Sequence, residues 1–176
     1  MEKDMKYIML TSEQIQQKVS EIAAQLSQEY ADKDPIFVGV LKGVVMFYAD
    51  VIKNVTVPCQ MDFMWVSSYK GTTSGEMIVR KDISSDIKGR HVVILEDIFD
   101  SGKSLDFVYK HLLSKEPASL RICTLLDKPT GRMKGITLKA DIVGFEIPDE
   151  FVVGYGLDYD QKYRNLPYIG VVELDG

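Results

Sequence analysis

The chain has 176 residues, 45% of them apolar and 27% charged, an ordinary globular composition that excludes disordered, collagen-like and coiled-coil classes. Lys and Arg number 21 against 26 Asp and Glu, a net charge of −5. A general coat for nucleic acid or anionic membrane is therefore not expected, while a local phosphate site still fits. The length predicts a single domain over 1–176. Cys59 and Cys123 lie in apolar runs with no C-x-x-C spacing and read as buried thiols, and with two His they make no recognisable zinc set. The opening MEKDMKYIML is charged and too briefly apolar for a signal peptide. No run approaches the roughly 20 apolar residues of a membrane span, so the expected setting is cytoplasmic.

Thr11 with Gln14 three residues on is a capping-box start. Ile15, Val19, Ile22, Leu26 and Tyr30 then form one apolar stripe of a helix that ends before Asp34-Pro35. Ile36 to Leu41 reads as a strand buried on both faces, Lys42-Gly43 breaks it, and Val44 to Lys53 reads as a helix. Cys59, Met61, Phe63 and Trp65 alternate with less uniform partners, as in a strand at or near a sheet edge. Residues 67–75 form a polar loop, and Glu76 to Arg80 returns as a strand. His91 to Leu95 is another buried strand, with a helix from about Lys103 to Leu113, and Leu120 to Leu126 is a third. Ile142 to Ile147, Phe151 to Val153 and Ile169 to Val172 are short strand candidates. Strands alternating with helices predict an α/β fold with a parallel sheet, whose ligands bind beyond the carboxyl ends of the strands. Three chain breaks fall there: Lys42-Gly43, Glu96 to Ser104, and Asp127-Lys128-Pro129.

The segment His91 to Ser104, HVVILEDIFDSGKS, carries the most chemistry. Glu96 and Asp97 come where the strand is expected to leave the core, so their charges stay solvated or meet a ligand. Asp100 to Ser104 surrounds one glycine with small hydroxyl residues and enters a helix whose free N–H groups make a phosphate cradle. The adjacent acids suit vicinal hydroxyls or Mg²⁺. A plain acidic turn capped by Ser101 or Asp100 is the bland alternative. A P-loop would need glycine at position 97, which is Asp97, and Gly154-Tyr155-Gly156 has Tyr159 where a dinucleotide fingerprint needs its third glycine.

Ile94 to Ser104 resembles the phosphoribosyl-pyrophosphate (PRPP) signature of type I phosphoribosyltransferases: apolar residues, two acids, two apolar residues, then D-[TS]-G-x-[TS]. Asp127-Lys128-Pro129, Val143 to Pro148, Phe151 to Tyr159 and Tyr163-Arg164 are similar to hypoxanthine-guanine phosphoribosyltransferases, as are Leu41-Lys42-Gly43 and Ser68-Tyr69. The likeness spans about residues 5–173. It implies a mainly parallel central sheet flanked by helices, with a core over about 30–130 and a small hood from about 1–15 and 135–176. The implied reaction joins hypoxanthine or guanine to PRPP with Mg²⁺, giving IMP or GMP and pyrophosphate in purine salvage.

The resemblance also assigns residues. Glu96 and Asp97 hold the ribose hydroxyls and metal; Asp100, Ser101, Gly102, Lys103 and Ser104 cradle the 5′-phosphate; Asp100 is the general acid/base. Leu41, Lys42 and Gly43 form the pyrophosphate loop, where a non-proline cis peptide is typical, and Arg164 adds a cation. Lys128 donates to the purine 6-oxo group, Phe151 stacks on the base, the Val152 main chain reads its edge, and Leu157 packs against it. Asp158 holds a second Mg²⁺ through pyrophosphate. Ser68 and Tyr69 belong to a lid. Family analogy implies a homodimer or homotetramer. The alternatives are a xanthine- or guanine-preferring relative and a PRPP-sensing regulator that binds nucleic acid; the acidic charge speaks against the latter.

Overall fold

The computed structural model describes residues 4–69 and 75–173. Most of the expected lid loop therefore lies outside the described residues. Among the described residues, nine strands and three helices follow in the order β1 (Met5–Leu10), α1 (Ser12–Glu29), β2 (Ile36–Val40), α2 (Val45–Asn54), β3 (Gln60–Ser68), β4 (Met77–Lys81), β5 (His91–Phe99), α3 (Lys103–Leu113), β6 (Ser119–Asp127), β7 (Ile142–Glu146), β8 (Val152–Val153) and β9 (Ile169–Val172). A 3₁₀ turn at Pro129–Gly131 follows β6. No described helix is long and apolar enough to cross a membrane.

The main sheet has the order β4-β3-β2-β5-β6-β7. Its β3-β2, β2-β5, β5-β6 and β6-β7 pairs are parallel, and β4 closes one edge antiparallel to β3. A second, antiparallel sheet, β1-β9-β8, draws the two ends of the chain together as the expected hood. One boundary differs from expectation: β7, within the stretch assigned to the hood, is the far edge of the main sheet. Strand order is a long-range pairing, and nothing local to Ile142–Glu146 announces it.

Alternation along the strands sends side chains to two cores. On one face Val93 and Leu95 of β5 pack with Ile15, Val19 and Leu26 of α1 and Phe47, Tyr48 and Val51 of α2. On the other, Val92 and Ile94 pack with Leu105, Val108 and Leu112 of α3. The α1 start is the predicted capping box: Thr11 Oγ1 accepts from the Gln14 amide at 3.2 Å, and Gln14 Oε1 from the Thr11 amide at 2.8 Å. Both cysteines are free. Cys123 is fully buried, and burial pushes its thiol up to about 12; Cys59 is only half-buried.

β3 lies one strand in from the β4 edge, as its alternation predicted, and Phe63 packs on the α1–α2 side of the sheet. Asp62, Met64 and Val66 face inward, while Met61 and Trp65 are 54% and 40% exposed. The buried Asp62 carboxylate accepts from the Ser84 and Ser85 amides at 2.9 and 2.8 Å. Burial works against its charge, but hydrogen bonds from the Ser85 side chain and from the Ser85, Phe63 and Ser84 amides outweigh it and hold the carboxyl below its ordinary range. A charged residue on the inner face is satisfied locally, which an apolar-alternation reading does not anticipate.

Candidate active site

The carboxyl ends of β2, β5 and β6 open into a cleft of about 420 Å³. β2 ends at Val40, and the Leu41–Lys42 peptide is cis, as the resemblance implied. Gly43 follows with no room for a side chain: a Cβ there would overlap the Asp97 carboxylate and lie 3.2 Å from the Gly156 carbonyl oxygen.

β5 does not stop at Leu95. It stays paired with β6 through Phe99, with Ile98 opposite Leu126 and Phe99 opposite Asp127. Glu96 and Asp97 are therefore strand residues, and Glu96 is 7% exposed rather than solvated. Its Oε1 accepts from the Asp97 amide at 3.1 Å. Burial first, then the charge and hydrogen bond of Asp97, push the Glu96 carboxyl well above the usual range. Among the described residues neither acid has a cationic side chain within ion-pair distance.

The bland alternative, a helix capped by Asp100 or Ser101, is not what the structure has. Neither Asp100 nor Ser101 is the N-cap of α3; Gly102 is, at φ 81° and with no side-chain cap bond. A Cβ at Gly102 would meet the Phe99 ring at 2.8 Å and Ile136 at 2.9 Å. The Asp100 side chain is thus left free to face the cleft. The loop is splinted from below by the segment after β6. Lys128 N donates to the Phe99 carbonyl, Arg132 to the Phe99 and Asp100 carbonyls at 2.9 and 2.6 Å, and Met133 N to the Ser101 carbonyl. Arg132 also pairs with Asp127 at 2.6 Å, and its guanidinium lies 3.4 Å from the Phe99 ring centroid.

Lys128, nearly buried at the end of β6, places Nζ 3.0 Å from Asp100 Oδ2, 3.9 Å from Asp149 Oδ1 and 3.4 Å from the Glu150 carbonyl. Phe151 keeps 40% of its surface exposed at the cleft, braced edge-on by Tyr159 at 5.7 Å between ring centroids. Val152 and Leu157 complete that wall. Beyond them Arg164 pairs with Asp158 at 3.3 Å and donates to the Gly156 carbonyl at 2.7 Å.

The cleft thus brings together Leu41, Gly43, Glu96, Asp97, Asp100, Ser101, Gly102, Ser104, Lys128, Phe151, Val152, Leu157, Asp158 and Arg164. Four expected residues are absent from its lining. The Lys42 ammonium lies over the Trp65 ring at 5.8 Å, and the Lys103 ammonium donates to the Gly75 carbonyl. Ser68 contacts Met77 Sδ at 3.5 Å, and Tyr69, 52% exposed, donates its amide to the Glu76 carbonyl. Sequence reasoning missed Arg132 and Gly131; a cation and a glycine four and three residues past Lys128, in a Pro-initiated turn, were the available signal. Among the described residues no three His, Cys, Asp or Glu side chains gather as a metal site. Glu96, Asp97 and Asp158 reach the cleft without forming one.

A family model described as a phosphoribosyl transferase domain matches residues 9–160. The chain is 49% identical to a hypoxanthine-guanine phosphoribosyltransferase of Bacillus subtilis, over 98% of this chain and 96% of that protein. A crystal structure of a hypoxanthine phosphoribosyltransferase from Staphylococcus aureus superposes with a TM-score of 0.92 at 46% identity, covering 98% of this chain and 94% of that one. One from Trypanosoma cruzi, in complex with the product IMP, gives 0.90 at 37% identity, covering 97% and 95%. The chain belongs to the phosphoribosyl transferase family, among its hypoxanthine-guanine phosphoribosyltransferases.

Proposed function

We propose that this enzyme transfers the 5-phosphoribosyl group of PRPP to hypoxanthine or guanine, forming IMP or GMP and pyrophosphate. The bond from the anomeric carbon to pyrophosphate breaks as the bond to the purine nitrogen forms, and the proton leaving the purine must be accepted. The observation that carries the reading is the apposition of Lys128 and Asp100 at 3.0 Å, between the Ser101–Ser104 loop and the exposed face of Phe151. A ribose 5′-phosphate seated on the amides at the start of α3 directs its anomeric carbon toward that pair. Asp100 then takes the proton, and the Lys128 ammonium donates to the 6-oxo oxygen, which gains charge as the proton leaves. A 6-amino group would bring a donor to that ammonium and is refused. Phe151 supplies a stacking face, a contact of roughly 1–3 kcal/mol per base. The Lys42 and Lys103 side chains, held elsewhere, leave these loops to act through their main chains.

The donor set fits Mg²⁺. Glu96 is a buried carboxyl whose charge is disfavoured by burial and by Asp97, the arrangement a divalent cation relieves. Glu96 and Asp97 would hold one ion with the ribose hydroxyls, and Asp158 another through pyrophosphate. The bound ion supplies charge neutralisation of the departing pyrophosphate. Family analogy adds a single domain, a cytoplasmic setting and a homodimer or homotetramer to this reading.

Asp100→Asn tests it. Turnover should fall by roughly 10²–10⁴, the range for a lost acid/base, with PRPP affinity kept. Unchanged turnover would remove Asp100 from the chemistry.

A further inference from the structure

Away from the cleft wall, the hood is fastened to the core at Tyr155. Gly154, Tyr155 and Gly156 take φ of 98°, 50° and 97°. Of these three left-handed residues only Tyr155 carries a side chain, and glycine would adopt the conformation at lower cost. That side chain is 5% exposed and belongs to the α1–α2 core. Its hydroxyl donates to Asp50 Oδ2 on α2. Gln16 of α1 donates to the same oxygen at 3.1 Å, and Lys53 pairs with Oδ1 at 3.0 Å. Burial disfavours the Asp50 charge, but the bonds from Tyr155, Gln16 and Lys53 outweigh it and hold this carboxyl below its ordinary range. One carboxylate therefore joins both helices to the hood turn.

Each end of this connection leads to the cleft. α2 starts directly after Leu41–Gly43, with the Val45 amide donating to the Lys42 carbonyl at 3.1 Å. On the hood side Gly156 lies against Gly43, so closely that a Cβ on Gly156 would overlap the Gly43 carbonyl and sit 3.0 Å from its carbon. The Gly156 amide donates to the Arg164 carbonyl at 2.9 Å, and its own carbonyl accepts from the Arg164 side chain. The Gly43–Gly156 approach sets the distance between the Leu41–Gly43 loop and the Asp158–Arg164 rim.

We propose that Tyr155 and Asp50 are positioning residues: their hydrogen bond latches the hood turn onto α2 and so fixes the width of the pyrophosphate end of the cleft. The latch rests on the reading of that end as the pyrophosphate site. Neither residue lines the cleft.

Tyr155→Phe keeps the ring in the core and removes the bond; Asp50→Asn keeps the shape and removes the charge. Titration calorimetry with Mg²⁺ and pyrophosphate reads the latch without turnover, and steady-state kinetics give KM for PRPP and for hypoxanthine. Tyr155→Phe should weaken pyrophosphate binding and raise KM for PRPP roughly tenfold, within the usual span of coupling between sites. KM for hypoxanthine should stay within about twofold, since the purine contacts are intact. The double variant should be no weaker than the weaker single, because both changes remove one interaction. Unchanged pyrophosphate and PRPP affinities in a folded Tyr155→Phe protein would overturn the proposal. So would PRPP and purine parameters that worsen together in step with Tm, the mark of a merely structural role. If the parent protein binds pyrophosphate in a Tyr155-dependent way yet forms no nucleotide, the latch stands and the reaction assignment fails. If the parent binds no pyrophosphate, both fall.

Discussion

Gly131→Ala asks whether the place of one carboxylate limits turnover. Gly131 closes the 3₁₀ turn after Lys128 and lies against the Asp100 side chain. A methyl group there would overlap Asp100 Oδ1, sit 3.0 Å from Asp100 Cγ and press Lys128 Cε at 3.3 Å. The turn is not left-handed at this residue, so the backbone accepts alanine, and the unfolded chain loses freedom worth about 0.4–1 kcal/mol in favour of folding. The cost therefore falls on the site. To clear the methyl, the carboxylate must withdraw by about 1 Å or more, and such a misplacement costs roughly 10² in rate. The 3.0 Å pair with Lys128 opens at the same time. Steady-state nucleotide formation and a thermal melt on the same preparation separate the effects. The expected result is kcat down roughly 10²-fold with little change in Tm, because the backbone gain offsets the opened Asp100–Lys128 pair. Full kcat in a folded Gly131→Ala protein would show that Asp100 need not stand where it does, and the acid/base assignment would go with it.

Lys128→Ala should weaken purine affinity and loosen discrimination of hypoxanthine against adenine by roughly tenfold or more, as loss of a charged donor worth about 1.5–3 kcal/mol implies; an unchanged ratio of kcat/KM for the two bases would refute the account of base choice. Glu96→Gln addresses the buried acid. Its carboxyl is pushed above the 4.5 of an unperturbed Glu, so the stability tied to it is full below that pH and lost as pH rises toward the folded value. The Gln variant should therefore match the parent below about pH 4.5 and exceed it increasingly at higher pH; parallel profiles in chemical denaturation would contradict the burial argument.

Much of this architecture was legible because its signals are local. The Thr11–Gln14 box and the stripe from Ile15 to Leu26 specify α1 through contacts within a few residues, and the all-buried β2 reads as a continuous apolar run. What escaped depends on partners far along the chain. Glu96 and Asp97 look like the end of a strand, yet pairing with β6 carries β5 two residues beyond them, to Phe99, and buries Glu96. Asp62 disguises the inner face of β3 because its satisfaction comes from the amides of Ser84 and Ser85. In the site, the Asp-Ser-Gly-Lys-Ser run lies where the loop before α3 lines the cleft, but a motif does not say which side chains face it, and that of Lys103 turns to Gly75 instead. Arg132 has no mark in sequence beyond a charge after a turn; its role is visible only once the Phe99 and Asp100 carbonyls stand above it.

The most direct test of the central claim is nucleotide formation from PRPP and Mg²⁺, with hypoxanthine, guanine, xanthine and adenine assayed side by side. With Lys128 reading carbon 6 as proposed, the site predicts turnover of hypoxanthine or guanine and none of adenine, which lacks an acceptor there. Turnover of adenine at a comparable rate, or of no base at all while PRPP still binds, would contradict it.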